Sequence, residues 1–378
     1  MHINLIILFY NYCKNQTLSS LFITLMVECI LILLFYFIIT ARIKSKFFRI
    51  DFLTILIILI LLRLLVPIEL PFTVTVPAPI IMNPVAVFFD YEFIEGMKIT
   101  YLLLFIWGFG CIFEVAFYVK RLFKLKELYR IILNNCKYGK VSDFLKSYSG
   151  YDYPVYISPY IPAPMVLGFK KVILLPKTLF SEEEISNIVL HEIYHIEAHD
   201  IYVKQLIKFI TIIYWWFPPI YLLQREIDLF LELRADSRVT KQLNYYESLN
   251  YANTLISVRR KISAEALPSK LFSTCLLSEN KKVLSYRINY LIEGNFQKRT
   301  GKLMLLMLLM VPILSNSIIL EPCYPNSSLV EGTFEKNDFE YIIQHKDGSY
   351  SLMIDNQFVE ISDIHDESFD GIRVIKEK

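Results

Sequence analysis

Four apolar runs divide the chain, at roughly residues 21–40, 52–69, 99–119 and 303–320. A helix needs ~20 such residues to cross a hydrocarbon core, so the pattern predicts four transmembrane helices. A fifth run, Leu206 to Leu223, is interrupted by Lys208 and by Pro218-Pro219, with Tyr214, Trp215 and Trp216 at its centre. Aromatic rings with one polar atom suit boundaries between apolar and wet surroundings. This run is therefore expected to form a buried or interfacial helix pair, not a simple crossing. Ahead of it, Ser181-Glu182-Glu183-Glu184 supplies an N-cap and an acidic first turn to a periodic stretch, which predicts a helix. Arg225–Val239 reads as a second helix. In the tail, Tyr350–Ile354 and Phe358–Ile361 alternate around Asp355-Asn356, with further turn signals at Asp347-Gly348 and Asp370-Gly371, so a small β-hairpin module is expected. The boundaries that follow are a membrane region over 1–119 with three helices, a domain over 120–302, a fourth helix over 303–320 and a short tail over 321–378.

Basic residues set the expected orientation. The first run is followed by Arg42, Lys44, Lys46 and Arg49, the third by Lys120, Arg121, Lys124 and Lys126, and the fourth is preceded by Lys298, Arg299 and Lys302. All three clusters mark one side, which the positive-inside rule makes the cytoplasm. The N-terminus, the loop 70–98 and the tail then lie outside, and residues 120–302 lie inside. The first run has no basic segment before it and no small-residue cleavage site after it, so it is read as a permanent anchor. Arg63 and Glu114 fall inside predicted spans, each within reach of an interface or a helix neighbour. The stretch 120–160, basic and then Tyr-rich, reads as a solvated linker into the domain rather than a docking surface.

Composition agrees with a membrane protein: of 378 residues 54% are apolar, and mean hydropathy is +0.42, above the soluble range. A net charge of +2 gives no footprint for direct nucleic-acid binding. Cys13, Cys29, Cys111, Cys136, Cys275 and Cys323 show no C-x-x-C spacing, which argues against a disulfide framework or a thiolate metal site.

The chemistry is concentrated in His191-Glu192-Ile-Tyr-His195. Histidines at i and i+4 project from one helical face, so both imidazoles can bind a single Zn²⁺ while Glu192 stands beside the zinc's water. Zinc lowers the pKa of that water to about 7, and the adjacent carboxylate can take its proton and return it to the leaving amine. A catalytic site needs a third protein ligand and an open position. Glu232-Leu-Arg-Ala-Asp236 on the downstream helix supplies Glu232 as that ligand. Asp236 is assigned to accept an N–H from a ligand histidine and so fix its tautomer. Asp200 is expected to orient a ligand or to cap a helix, and His199 to be a plain surface histidine. Tyr194 and Arg234 are possible oxyanion partners. Solvated surface acids and histidines would explain each residue singly, but not the i, i+4 pair, the adjacent Glu and the downstream carboxylates together.

These residues resemble the antirepressor metallopeptidases, the family of β-lactam-sensing transducers that relieve penicillinase-repressor control. The likeness covers most of 20–320. It rests on Pro164-Met-Val-Leu-Gly168-Phe-Lys-Lys-Val-Ile-Leu-Leu-Pro176, on His191-Glu192-x-x-His195 followed by Asp200, on Trp-Phe-Pro-Pro at 216–219, and on Glu232-x-x-x-Asp236. The resemblance implies a mostly α polytopic membrane protein with four transmembrane helices, a cytoplasmic α+β gluzincin-type zinc protease domain and a small extracellular β tail. It implies His191, His195 and Glu232 as zinc ligands and Glu192 as acid/base. It also makes Val172, Ile173, Leu174 and Leu175 an edge strand for the substrate backbone. The implied partners are the lipid bilayer, a protein substrate such as a transcriptional repressor, and an extracellular signal. Self-cleavage is a further implication, with Lys282–Leu291 the first segment to inspect. The departure is at the far end. Residues 321–378 hold no Ser-x-x-Lys, and Ser278-Glu-Asn-Lys281 lies on the predicted cytoplasmic side without a partner motif, so β-lactam sensing by acylation is not expected. A quality-control or peptide-processing membrane zinc protease is the first rival, disfavoured because three spans precede the motif. A non-catalytic receptor with structural zinc is the second, and it leaves Glu192 without a role.

Overall fold

The computed structural model describes residues 18–40, 49–65, 74–94, 96–145, 148–167, 171–241, 243–265, 281–293, 300–315, 318–322, 341–346, 349–354, 357–361 and 373–376. Ser278–Asn280, with the Ser-x-x-Lys string they begin, lie outside them. The described residues are mostly helical, with some sheet. They fall into two compact units, one of residues 1–76 and 87–320 and one of residues 77–86 and 321–378.

The first unit opens with α1 (Leu18–Thr40) and α2 (Ile50–Leu65), followed by β1 (Val74–Pro77), α3 (Pro79–Asp90, shared with the second unit), the short pair β2 (Glu92–Ile94) and β3 (Met97–Lys98), and α4 (Ile99–Asn134). Among the described residues two helices are long and apolar enough to cross a bilayer, Ser20–Thr40 and Ile99–Asn134. Helix α2 has 16 residues, a length of about 24 Å at 1.5 Å per residue; the rest of its predicted span lies outside the described residues. Helix α4 runs unbroken past residue 119 to Asn134, so the first part of the expected linker is helix, and Lys137–Lys140 and Pro154–Ser158 further along it are strands. Leu125, Leu128 and Ile132 explain the helix: they keep an apolar stripe at helical spacing among the basic residues, and Leu128 and Ile132 are buried.

The domain's sheet comprises β4 (Lys137–Lys140), β5 (Pro154–Ser158), β6 (Met165–Leu167) and β7 (Val172–Pro176), in the order β4-β5-β7-β6. Strand β7 runs parallel to β5 and antiparallel to β6. Its five residues are all buried, as a strand covered on both faces requires. Alternation sends Ile173 and Leu175 to the face of Val189, Ile193 and Ile196, and Val172 and Leu174 to the face of Leu128 and Ile132. Both edges of β7 are hydrogen-bonded, which corrects the expectation that Val172–Leu175 is a free edge for substrate. The strand outside it on that side is β6.

Helices α5 (Glu182–Glu197), α6 (Asp200–Ile213), α7 (Pro219–Thr240), α8 (Tyr245–Glu265), α9 (Lys281–Glu293) and α10 (Lys302–Ser315) follow. Helices α6 and α7 form the expected pair, turning at Tyr214–Pro218 with Pro219 at the first helical position, where its missing N–H costs nothing. The turn is pinned between helices: Tyr214 Oη donates to the Leu64 carbonyl at 2.9 Å, Trp107 Nε1 to the Ile213 carbonyl at 2.9 Å, and Trp215 Nε1 to the Trp107 carbonyl at 3.2 Å. Trp215 lies so close to Gly110 that a Cβ there would come within 2.2 Å of the indole. Glu114 pairs with Lys208 at 3.1 Å and Arg63 with Glu28 at 3.8 Å, so both charges within the predicted spans have helix partners. One apolar cluster joins α1 and α2 to α6 and α7, with Phe35, Leu56, Ile210 and Ile227 at its centre.

Helix α10 has 14 residues, about 21 Å, and ends before the predicted residue 320. Polar Ser315-Asn316-Ser317 interrupts the run, and the β-branched Ile318-Ile319 that follow favour a strand. Strand β8 (Ile318–Glu321) pairs with β1.

In the second unit β9 (Tyr341–Gln344), β10 (Tyr350–Ile354), β11 (Gln357–Ile361) and β12 (Arg373–Lys376) form a sheet in the order β11-β10-β9-β12. Ile354 pairs with Gln357 across Asp355-Asn356, the expected hairpin. Strand β12, which follows the Asp370-Gly371 signal in the sequence, adds a parallel partner to β9. Ile342 and Leu352 face each other, both buried.

Candidate metal centre

Helix α5 begins with a reciprocal cap: Ser181 Oγ accepts from the Glu184 N–H, and Glu184 Oε2 accepts from the Ser181 N–H at 2.8 Å. This starts the helix at a defined residue and fixes its phase, so His191 and His195 share the face turned to α7. At the other end His199 adopts φ 58, in the left-handed region, and its Nδ1 bonds the Glu197 carbonyl at 2.9 Å. The elbow so formed lets α6 start at once and returns Asp200 over the preceding turn.

Three donors converge. His191 Nε2 and His195 Nε2 are 3.0 Å apart, Glu232 Oε2 is 3.4 Å from His191 Nε2, and Glu232 Oε1 is 3.6 Å from His195 Nε2. These are the residues of the described chain grouped tightly enough to hold a metal ion. Ligands about 2.1 Å from one ion at the tetrahedral angle lie about 3.4 Å apart, so the spacing fits a single cation. Glu192 is buried next to this group.

Each histidine is held from behind by an aspartate, and each aspartate by an arginine. His195 Nδ1 faces Asp200 Oδ2 at 2.6 Å, and Asp200 Oδ1 is held by Arg234. His191 Nδ1 faces Asp236 Oδ1 at 3.2 Å and Tyr251 Oη at 2.9 Å. Tyr251 Oη donates to Asp236 Oδ1 at 2.6 Å. Arg287 donates to Asp236 through Nε at 2.7 Å and Nη2 at 2.8 Å, and pairs through Nη1 with Glu232 Oε2 at 3.1 Å. Four carboxylates, Glu192, Asp200, Glu232 and Asp236, stand against two guanidiniums, which leaves the two negative charges that a divalent cation complements.

Electrostatics follow from this crowding. Burial opposes charge on His195, but the Glu232 carboxylate and the Asp200 hydrogen bond outweigh it and push the imidazole up to about 10. Burial would also raise Glu232, yet His195 and Arg287 hold it well below the usual carboxylate range. For Glu192 burial wins over the neighbouring histidines, and its pKa is raised. The centre is built to draw in positive charge.

Of the residues singled out in the sequence, His191, His195, Glu232, Glu192, Asp236 and Asp200 are brought together here. Val172–Leu175 lie in the sheet that backs α5. Arg234 is engaged with Asp200 and lies over the Phe230 ring, not free for an oxyanion, and Tyr194 packs with Val239, Tyr251, Ala252 and Leu291. Two further participants, Tyr251 and Arg287, lie outside the sequence motifs. The signal for Arg287 was present: it interrupts the apolar stripe Val283, Tyr286, Tyr290, Leu291 of α9, and a cation on a buried face needs a partner. Lys282–Leu291 is thus a helix with Arg287, Tyr290 and Leu291 buried, not the extended chain a protease cleft accepts.

Residues 60–291, which include every residue of this centre, match the family model described as BlaR1 peptidase M56. The chain belongs to the BlaR1 peptidase M56 family. M56 peptidases are metallopeptidases, so the family implies a metal, and the donor set fits one. Among relatives, the methicillin resistance mecR1 protein of Staphylococcus aureus is 31% identical over 175 residues, covering 43% of this chain and 29% of that protein, and the Staphylococcus epidermidis protein of the same name gives the same values. The regulatory protein BlaR1 of Bacillus licheniformis is 29% identical over 143 residues, 37% of this chain and 23% of that protein. The matched segment thus spans less than a third of the length of these curated relatives.

Proposed function

We propose that this M56 protein is a membrane-embedded zinc endopeptidase that cleaves itself or a cytoplasmic protein such as a transcriptional repressor in response to an outer signal. The observation that carries the reading is the convergence of His191 Nε2, His195 Nε2 and the Glu232 carboxylate beside buried Glu192. His191, His195 and Glu232 hold the ion. Zn²⁺ held there would supply Lewis acidity toward a water and a scissile carbonyl. Glu192 takes a proton from the attacking water, and the same carboxyl gives it to the amine as the C–N bond breaks. Asp200 and Asp236 hold the imidazoles with Nε2 toward the ion.

The substrate strand in this reading is β6, which has no strand on its outer edge among the described residues, and the backbone of Met165–Leu167 is the surface for β-augmentation. The four-span arrangement with an inward site is supported by the three basic clusters on one side. It is also supported by the α6–α7 hairpin, which leaves and returns to the same end, as His195 and Glu232 on one ion require. The names of the relatives, methicillin resistance and regulation, favour signalling over general proteolysis.

The test is metal content and chain integrity of the purified protein in detergent, wild type beside Glu192→Gln. Wild type is expected to bind one zinc and to cut itself or an added repressor. Glu192→Gln should keep zinc and lose ~10²–10⁴ in rate. No zinc in either protein, or full cleavage by Glu192→Gln, overturns the reading.

A further inference from the structure

We infer that Arg287 is a positioning residue of the metal centre, which occupies one oxygen of Glu232 so that this ligand meets the ion through the other. The inference rests on the metal reading above and adds a role for a residue outside both motifs. Arg287 is 4% exposed, and its guanidinium spans two carboxylates one helical turn apart on α7. Its Nε and Nη2 fork onto the two oxygens of Asp236 at 2.7 and 2.8 Å, while Nη1 reaches Glu232 Oε2 at 3.1 Å.

An oxygen that accepts a charge-assisted bond is a weaker metal donor, and a forked guanidinium fixes direction as well as charge. Glu232 Oε2 is so engaged. Oε1 lies on the His195 side, 3.6 Å from His195 Nε2, and is the oxygen left for the ion. Without the fork both oxygens of Glu232 compete for the ion, and a second oxygen would fill the position that a catalytic site keeps open. The same guanidinium holds Asp236 against His191 Nδ1, so one side chain from α9 sets the orientation of two of the three ligands. Lysine keeps the charge but not the fork, and cannot satisfy Asp236 through two bonds and Glu232 through a third in fixed directions.

The experiment uses the full chain in detergent: wild type, Arg287→Lys, Arg287→Gln, and Arg260→Gln as an exposed-charge control. Zinc affinity is measured by chelator competition, coordination from the visible absorption of the cobalt(II)-loaded protein, kcat and KM on a cleaved substrate, and folding by circular dichroism. Expected for Arg287→Lys is at least tenfold weaker zinc binding. Its cobalt bands should be weaker, as for a higher coordination number, and kcat should fall with KM unchanged. Arg287→Gln should shift the same way and further, and the control should match wild type. Folded Arg287 variants with wild-type affinity and cobalt spectrum overturn the inference; if Arg287→Gln does not fold, Arg287→Lys decides alone. Wild type that takes up neither zinc nor cobalt instead sinks the metal reading, which separates the two failures.

Discussion

The Glu28–Arg63 pair tests how the apolar helices hold together. Glu28 Oε1 and Arg63 Nε are 3.8 Å apart, with side chains 0% and 2% exposed, in helices that share one apolar cluster with α7. At an effective dielectric constant near 20 their attraction is about 4 kcal/mol, comparable to what burying them costs. The pair itself therefore contributes little, but breaking it is expensive, and the expense depends on which partner goes. Glu28→Leu removes the carboxylate that faces a buried guanidinium unable to shed its proton, with an expected loss of about 3–5 kcal/mol. Arg63→Met strands a carboxyl that can become neutral by taking up a proton, so the loss should be smaller, about 1–3 kcal/mol. The double variant replaces both charges by apolar side chains and should return to within about 1 kcal/mol of wild type. The assay is unfolding of the purified chain in mild detergent, followed by loss of helical circular dichroism. An additive double variant, or Glu28→Leu within 0.5 kcal/mol of wild type by the usual surface standard, would refute the claim that these charges face each other inside a packed helix interface.

Two further outcomes are specific. Tyr251→Phe removes a hydroxyl that bonds His191 and Asp236 inside the domain; His191 still faces Asp236 directly, so the expected cost is about 1–2 kcal/mol in stability and up to tenfold in metal affinity, read by denaturant titration and chelator competition. Glu184 accepts from Lys261, Ser257 and the Ser181 N–H, and although burial works the other way, these bonds lower its pKa. The carboxylate's contribution is therefore full above the unfolded value of about 4.3 and is lost as pH falls through the lower folded value. The stability gap between wild type and Glu184→Gln should be widest near neutrality and close as pH falls below the unfolded value of about 4.3; a gap that widens on acidification contradicts the assignment.

Features set by nearby residues were legible in the sequence. The capping box at Ser181, the i, i+4 histidines, the Glu232/Asp236 turn and the hairpin across Asp355-Asn356 each depend on neighbours within a few positions, and each lies where the pattern put it. What failed depends on distant partners. Val172–Leu175 reads the same as an edge or as an interior strand, because which strand lies beyond it is decided by Met165–Leu167 doubling back. Residues 303–320 read as one apolar run, since hydropathy does not distinguish the helix through Ser315 from the strand at Ile318–Glu321. Basic residues surround Leu128 and Ile132, whose burial against Val172 and Leu174 ties the end of α4 to the domain's sheet.

The centre shows the same division, with a physical reason for each half. Metal ligands must share a helix face, so their spacing is constrained and becomes a motif. The residues that balance their charge are constrained only to arrive. Packing Glu192, Asp200, Glu232 and Asp236 around two imidazoles leaves more negative charge than one divalent ion neutralises, and burial makes that excess costly. Two arginines offset it, each fixed to the aspartate behind one histidine. Arg234 comes from α7 itself, two residues from Glu232. Arg287 comes from α9, which follows α8 in the chain, and no rule of sequence spacing ties it to the motif. Counting carboxylates around the motif predicts that such cations exist, and the apolar stripe of α9, broken by one arginine, says where to look.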